Sequence, residues 1–329
     1  MKLSALVISA ALFVVTTHAS AQSINPRPLQ RAMDEHLALL MGKAYDKLDQ
    51  AADEARARNL PLSDGQPLLT AIYGGTVGCG CGNQLNDELW QIRKQRLEEW
   101  SKRKPQSLTA RVSLAAFPVK YAWMARGGGY SHTVSPQGWK LFGERIEEGR
   151  KSLEALDPKA KDDAGWYEYM LEVALSQGWP PDKFDALFLK AVERHPYYLP
   201  FYFTRMSFYS PRWYGSDKEA KRVVEDAVSR TKSRMGETLY ARLYWSMQDP
   251  EMFKTGRVDW SRMKSGFEHM VKDYPDRWNI NNFAKFSCMA ADHSTFISLL
   301  PKIGGLIAQA WDDDLSSFAR CRIAALGPG

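Results

Sequence analysis

Five aromatic side chains and two arginines stand out chemically because they interrupt the helical patterns around them. Trp123, Tyr130, Trp179, Trp213 and Tyr214 fall at the ends of amphipathic stretches or in the breaks between them, off the regular apolar stripe. Arg126 accompanies the first group and Arg212 the second. Indole and phenol rings offer a large apolar face with one polar handle, and a guanidinium binds carboxylates through a planar fork. Trp123, Arg126, Tyr130, Arg212, Trp213 and Tyr214 are therefore the candidate binding residues, suited to a peptide or an acidic glycan. The competing reading is that these rings seal the ends of adjacent hairpins while the arginines cap helix carbonyls.

Other chemistries find less support. The run Arg126-Gly127-Gly128-Gly129-Tyr130 has the glycine content of a phosphate loop. Such a loop follows a strand and opens a helix. Here the glycines close a helix, whose carbonyl end repels phosphate. Of six histidines, His18 lies in the N-terminal leader and the rest are scattered, with His132 in the glycine-rich loop the one worth testing. His269 and Asp273 stand one helical turn apart and read as a solvated pair. No His-Glu-x-x-His, Gly-x-Ser-x-Gly or zinc-type cysteine spacing occurs, so no metal and no cofactor is expected and no catalytic residue can be named. Acids such as Glu147, Glu148, Glu219 and Glu225 lie on charged helix faces. A glycosidase needs two carboxyls roughly 5 to 10 Å apart across a cleft, a geometry that sequence does not display.

The elements that must carry these residues repeat. Residues 166–177 and 182–194 read as a helix pair split by Gly178-Trp179-Pro180-Pro181, and residues 199–208 and 217–231 as a second pair. Pro105, Pro158, Pro196 and Pro275 each follow a charged amphipathic helix, at intervals of 53, 38 and 79 residues. Proline suits that place because it cannot continue a helix. A period near 38 with two helices per unit is the signature of stacked helical repeats, whose neighbours cover apolar surface that one hairpin leaves bare. Five units follow: residues 108–156, 166–194, 199–231, 236–274 and 278–311. A cap, 312–326, opens with three aspartates. Before them, residues 28–59 read as one long helix, with Met33, Leu37, Leu40, Ala44, Leu48 and Ala52 along one face. Residues 67–73 read as a short helix and 83–104 as a long one. The expected fold is all-α, a superhelix of stacked helical hairpins (residues 105–329) behind an N-terminal helical region (residues 22–104).

The first 21 residues read as a signal peptide: Lys2, an apolar run over 6–15 and a small-residue cleavage site at Ala19-Ser20-Ala21. That run is too short to span a bilayer of roughly 30 Å, and no later stretch approaches a membrane span. A periplasmic or secreted protein is expected. Removing Lys2 from 44 basic residues leaves 43 against 38 acidic, a net charge of +5. These charges alternate in sign along helix faces, which argues against nucleic acid as a partner. Four cysteines in an exported chain are disulfide candidates, and their three possible pairings are not resolved by sequence. The favoured pair is Cys288 with Cys321, because the cap must fold back on the last unit. Cys79 and Cys81, one residue apart, then pair with each other or stay free.

The runs 107–111, 121–130, 174–179, 210–215 and 282–284 resemble the bacterial domain of unknown function 4034 family, over roughly residues 90–311. The resemblance implies tetratricopeptide-like helical repeats and brings no activity with it. The function expected is a protein- or peptide-binding scaffold, and the alternative is an enzyme acting on cell-envelope glycans or peptides. The exported protein is expected to begin at Gln22 and to carry a Cys288–Cys321 bridge. Intact mass checks the first, and peptide mapping that found a free thiol at Cys288 in oxidised protein would refute the second.

Overall fold

The computed structural model describes residues 27–78, 87–247 and 249–327. The leader and the pair Cys79 and Cys81 lie outside these residues. Among those described, regular structure is helical throughout, with no strand. The N-terminal region contributes α1 (Pro28–Met41), α2 (Tyr45–Arg58), α3 (Leu68–Val77) and α4 (Asp87–Arg103). Helix pairs follow: α5 (Leu108–Arg126) with α6 (Pro136–Glu154), then a single turn α7 (Pro158–Lys161). Next come α8 (Ala164–Ser176) with α9 (Pro181–Arg194), and α10 (Leu199–Phe208) with α11 (Asp217–Met235). The last are α12 (Thr238–Met247) with α13 (Trp260–Asp273), α14 (Arg277–Met289) with the short α15 (His293–Leu299), and α16 (Leu315–Leu326).

Local chemistry sets these boundaries. Ser107, Ser135, Asp157, Asp163, Ser216, Asp259, Asp276, Asp292 and Asp314 each accept a backbone N–H of the first turn that follows, which satisfies a donor the helix leaves unpaired. Helices α5, α8, α10 and α12 touch in succession and form an inner row. Helices α6, α9, α11 and α13 each contact their own inner helix or the next one along. The apolar core runs continuously from Ala52 to Trp311, with Phe184, Phe188, Phe201 and Phe267 fully buried within it.

Three expectations are corrected. Residues 28–59 form two helices, because Gly42 and Lys43 reverse the chain. Lys43 takes the left-handed conformation (φ 57°), and the Ala44 N–H reaches back to the Leu39 carbonyl at 2.9 Å, the bond that terminates a helix in this way. The second half of the last pair is only α15, followed by 3₁₀ turns at Leu300–Lys302 and Ala308–Trp311. The cap helix begins at Leu315, since Asp312 and Asp313 are left-handed and Asp314 caps it. Cys288 and Cys321 lie at disulfide distance, Cα–Cα 5.7 Å, and join α14 to α16.

The N-terminal region crosses the inner row. Helix α3 packs on α1 and against α5 and α8. The buried Tyr73 hydroxyl donates to Asp163 Oδ1 at 2.6 Å, at the start of α8, and its ring lies where a Cβ on Gly165 would stand. Arg56 of α2 donates to Asp163 Oδ2 at 2.5 Å, and to Tyr73 Oη and Thr109 Oγ1 at 2.9 Å each. Farther along, the Asp64 carbonyl accepts from Arg242 of α12 and from Asn279 of α14, the latter at 3.1 Å. Replacing Asp163 by Ala leaves Arg56 without its buried counter-charge and α8 without its cap, and is expected to lower stability by about 3 kcal/mol or more. Tyr73→Phe removes two hydrogen bonds, the one to Asp163 and the one from Arg56, but leaves the ion pair and the cap, and is expected to cost about 1 to 2 kcal/mol. Urea denaturation of both variants checks the order, and equal losses would remove Asp163 from the centre of this junction.

Candidate functional site

The six residues singled out in the sequence come from two hairpins and line one cleft of about 1310 Å³. Its walls are the C-terminal ends of α5, α10 and α12, the loop from Gly127 to Ser131, the break from Ser210 to Tyr214, and α1 on the opposite side. Trp179 does not reach it. That indole donates to Gln177 Oε1 at 2.9 Å.

Arg126 is the centre of the cleft. Its guanidinium lies 5.3, 5.2 and 6.0 Å from the ring centroids of Trp123, Trp139 and Trp213, within cation–π range of all three. Its Nη1 donates to the carbonyls of Gly127 at 3.0 Å and Gly129 at 3.1 Å, so it also closes the end of α5. Among the described residues no carboxylate pairs with it, and partial burial pulls its pKa below the usual arginine value. Arg212 is exposed and likewise forms no ion pair among the described residues. Lys120, by contrast, is held by Glu172 at 2.7 Å.

The aromatic residues divide by what they touch. Trp123 meets Phe142 at 5.1 Å and Trp213 at 5.8 Å, edge to face, and its Nε1 has no hydrogen-bond partner among the described residues. Tyr214 packs on Phe208 at 5.1 Å and donates to the Leu175 carbonyl at 3.1 Å, sealing the α8–α9 break as the competing reading expects. Tyr130 is 70% exposed and stacks on His132 with ring centroids 5.9 Å apart. His132 lines no part of the cleft, and His269 is engaged by the Ser265 carbonyl at 2.9 Å. No group of histidine, cysteine and acidic side chains that could hold a metal occurs among the described residues.

Sequence reasoning missed Trp139, Trp90 and Arg93, and the contribution of Met33, Asp34 and Leu37 from α1. Trp139 carried a readable signal, a second indole just past the glycine-rich loop. The α1 wall carried none, since only the fold brings it opposite α5. Asp34 and Glu172 are the carboxylates on the wall among the described residues, the first accepting from Gln30 at 2.9 Å. One turn before Glu172 on α8, Glu168 is half-buried and accepts from the Tyr198 hydroxyl at 2.6 Å. Burial pushes its carboxyl up to about 7, opposed by Tyr198 and Lys120 and aided by Glu172 and Asp163.

No family model, curated protein or solved structure matches the chain. The fold and cleft define an all-helical protein with an aromatic, cation-bearing groove, and go no further by themselves.

Because the folded pKa of Glu168 is raised above the carboxylate value of 4.5, the folded state binds more protons than the unfolded state between about 4.5 and 7. Stability is therefore expected to fall as pH rises through that window, by up to roughly 1.4 kcal/mol per pH unit from this group. Glu168→Gln keeps an acceptor for Tyr198 and is expected to flatten that slope and to raise the Tm at pH 8. Parallel melts of the two proteins across pH 4 to 8 check it; superimposable slopes would count against the burial of Glu168.

Proposed function

We propose that this chain is an exported helical-repeat scaffold that holds a protein or peptide segment in the cleft around Arg126. The observation that supports it is convergence: Trp123, Arg126 and Tyr130 from one hairpin meet Arg212, Trp213 and Tyr214 from another, with two guanidinium groups that no carboxylate neutralises among the described residues. Indole walls favour an aromatic or aliphatic side chain, and the unpaired guanidiniums favour an acidic one beside it. A segment carrying both is the expected partner. In this reading the successive pairs from α5 to α15 are stacked hairpins of the tetratricopeptide-like kind, in keeping with the resemblance to the domain of unknown function 4034 family. Their inner row gives the cleft its concave wall. The protein works in the periplasm or after secretion. Among the described residues no helix is long and apolar enough to cross a membrane.

The rival reading, hydrolysis of envelope glycans or peptides, needs a protonated and an ionised carboxyl facing one substrate. Glu172 is committed to Lys120.

Selection from a random peptide library displayed against the purified protein is expected to enrich sequences with Asp or Glu next to an aromatic or aliphatic residue. Arg212→Ala and Trp213→Ala are each expected to weaken the selected peptide at least about tenfold, the scale of one charged hydrogen bond or one buried ring. Variants that melt normally and keep full affinity would make those side chains structural and place the binding surface elsewhere. Cleavage of the peptides or of envelope glycans by purified protein would favour the enzyme.

A further inference from the structure

At the other end of the inner helices lies a cavity of about 910 Å³ whose arginines have partners of their own. There Arg56 and Arg194 pair with Asp163 and Asp162, and Arg242 donates to the Asp64 carbonyl. A smaller cavity, of about 300 Å³, lies between the start of α11, the end of α12 and the turns from Asp249 to Val258. Met247 stands between it and the aromatic cleft and lines both.

The lining of this smaller cavity is largely apolar. Ala220, Met252 and Val258 are buried and Met247 is half-buried. Contacts within the chain hold its walls. The Val258 N–H donates to the Met252 carbonyl at 3.3 Å, and Arg257 bridges Asp249 at 2.9 Å and Asp217 at 3.3 Å. Those two carboxylates match the Arg257 charge, while Lys218 and Lys221 are exposed to solvent at the rim. An ion entering here would give up hydration without meeting a buried counter-charge.

Tyr244 is the polar exception. It is 5% exposed, yet its hydroxyl makes no hydrogen bond among the described residues and is not sealed off by protein atoms. Tyr240, one turn earlier on the same helix, accepts from the Asp259 N–H at 2.9 Å. Burial pushes the Tyr244 hydroxyl up to about 12, so it stays protonated and can both donate and accept. A hydroxyl left open in an apolar cavity fits a ligand that brings one hydrogen-bonding atom on an apolar body. The thioethers of Met247 and Met252 favour an aromatic body, because sulfur makes favourable contacts with ring edges.

We propose that this cavity binds a small uncharged aromatic molecule with one hydrogen-bonding atom, of the phenol type, held by Tyr244. The site goes beyond the scaffold reading, since peptide binding around Arg126 can fail while this site stands.

Titration of p-cresol and of toluene into protein with isotope-labelled methionine methyl groups tests it by nuclear magnetic resonance. The reporter is Met252, which lines this cavity and not the aromatic cleft. Saturable shifts of its methyl signal are expected with both compounds. Binding of p-cresol is expected to be about tenfold tighter, the scale of one hydrogen bond. Tyr244→Phe breaks no hydrogen bond of the fold and is expected to melt as the parent does. In that variant p-cresol weakens about tenfold, to the level of toluene, and toluene is unchanged. Trp213→Ala, in the aromatic cleft, is expected to leave both affinities unchanged. No shift at Met252, equal affinities in the parent, p-cresol binding indifferent to Tyr244→Phe, or its loss in Trp213→Ala would each overturn the assignment.

Discussion

One buried carboxylate organises this molecule. Asp163 caps α8 through the Gly165 N–H at 2.8 Å while accepting from Tyr73 and Arg56, so three segments far apart in sequence end on two oxygens. A carboxylate 4% exposed is tolerated because each oxygen has donors and a guanidinium balances the charge. The same arrangement keeps the Tyr73 proton in place: burial first, and then the adjacent carboxylate, push that hydroxyl well above its ordinary pKa. The consequence is architectural. With α3 fastened to the start of α8, the N-terminal region lies across the inner helices and divides their surface, leaving one cleft at each end.

The two ends differ in sign because helices do. At the C-terminal ends the open carbonyls attract cations. Arg126 answers that demand at Gly127 and Gly129, and being placed there it also faces the cleft among three indoles. Capping and presentation are therefore not rival roles for Arg126; one geometry serves both. Tyr214 is different, since its hydroxyl is spent on the Leu175 carbonyl of the neighbouring hairpin and its ring packs on Phe208 of its own. At the N-terminal end of α8 the demand is the reverse, and the Asp163 carboxylate meets it at the Gly165 N–H.

What was legible in the sequence follows from range. Helix pairs from α5 to α13 were readable because their signals are local: a proline or glycine at the break, a serine or aspartate at the cap, apolar residues at helical spacing. The reversal at Gly42-Lys43 was missed because the apolar stripe of residues 28–59 runs through it unbroken, and one glycine weighs little against six matched positions. The path of the N-terminal region was illegible for another reason. Its anchors join Tyr73 to Asp163, and the Asp64 carbonyl to Arg242 and Asn279, pairs 90 to 215 residues apart that no periodicity records. The cleft divides in the same way. Aromatic residues off the stripe could be selected by pattern, whereas their convergence with α1 depends on that long-range anchoring.

The far end of the chain is held by a different means. Helix α16 has no buried residue, and Leu315, Ile323 and Leu326 are all exposed. Its apolar contact is chiefly Phe318, half-buried against Phe296 at 5.9 Å and Trp311 at 5.1 Å. So small a contact gives little reason for the helix to stay docked. A bridge between residues 33 apart removes roughly 3 to 4 kcal/mol of loop-closure entropy from the unfolded chain, more than one half-buried ring supplies. The terminal helix thus depends on a covalent bond that reducing surroundings would open. That dependence fits the proposed export: the middle of the molecule is held by buried polar contacts that need no particular compartment, and its end by one that does.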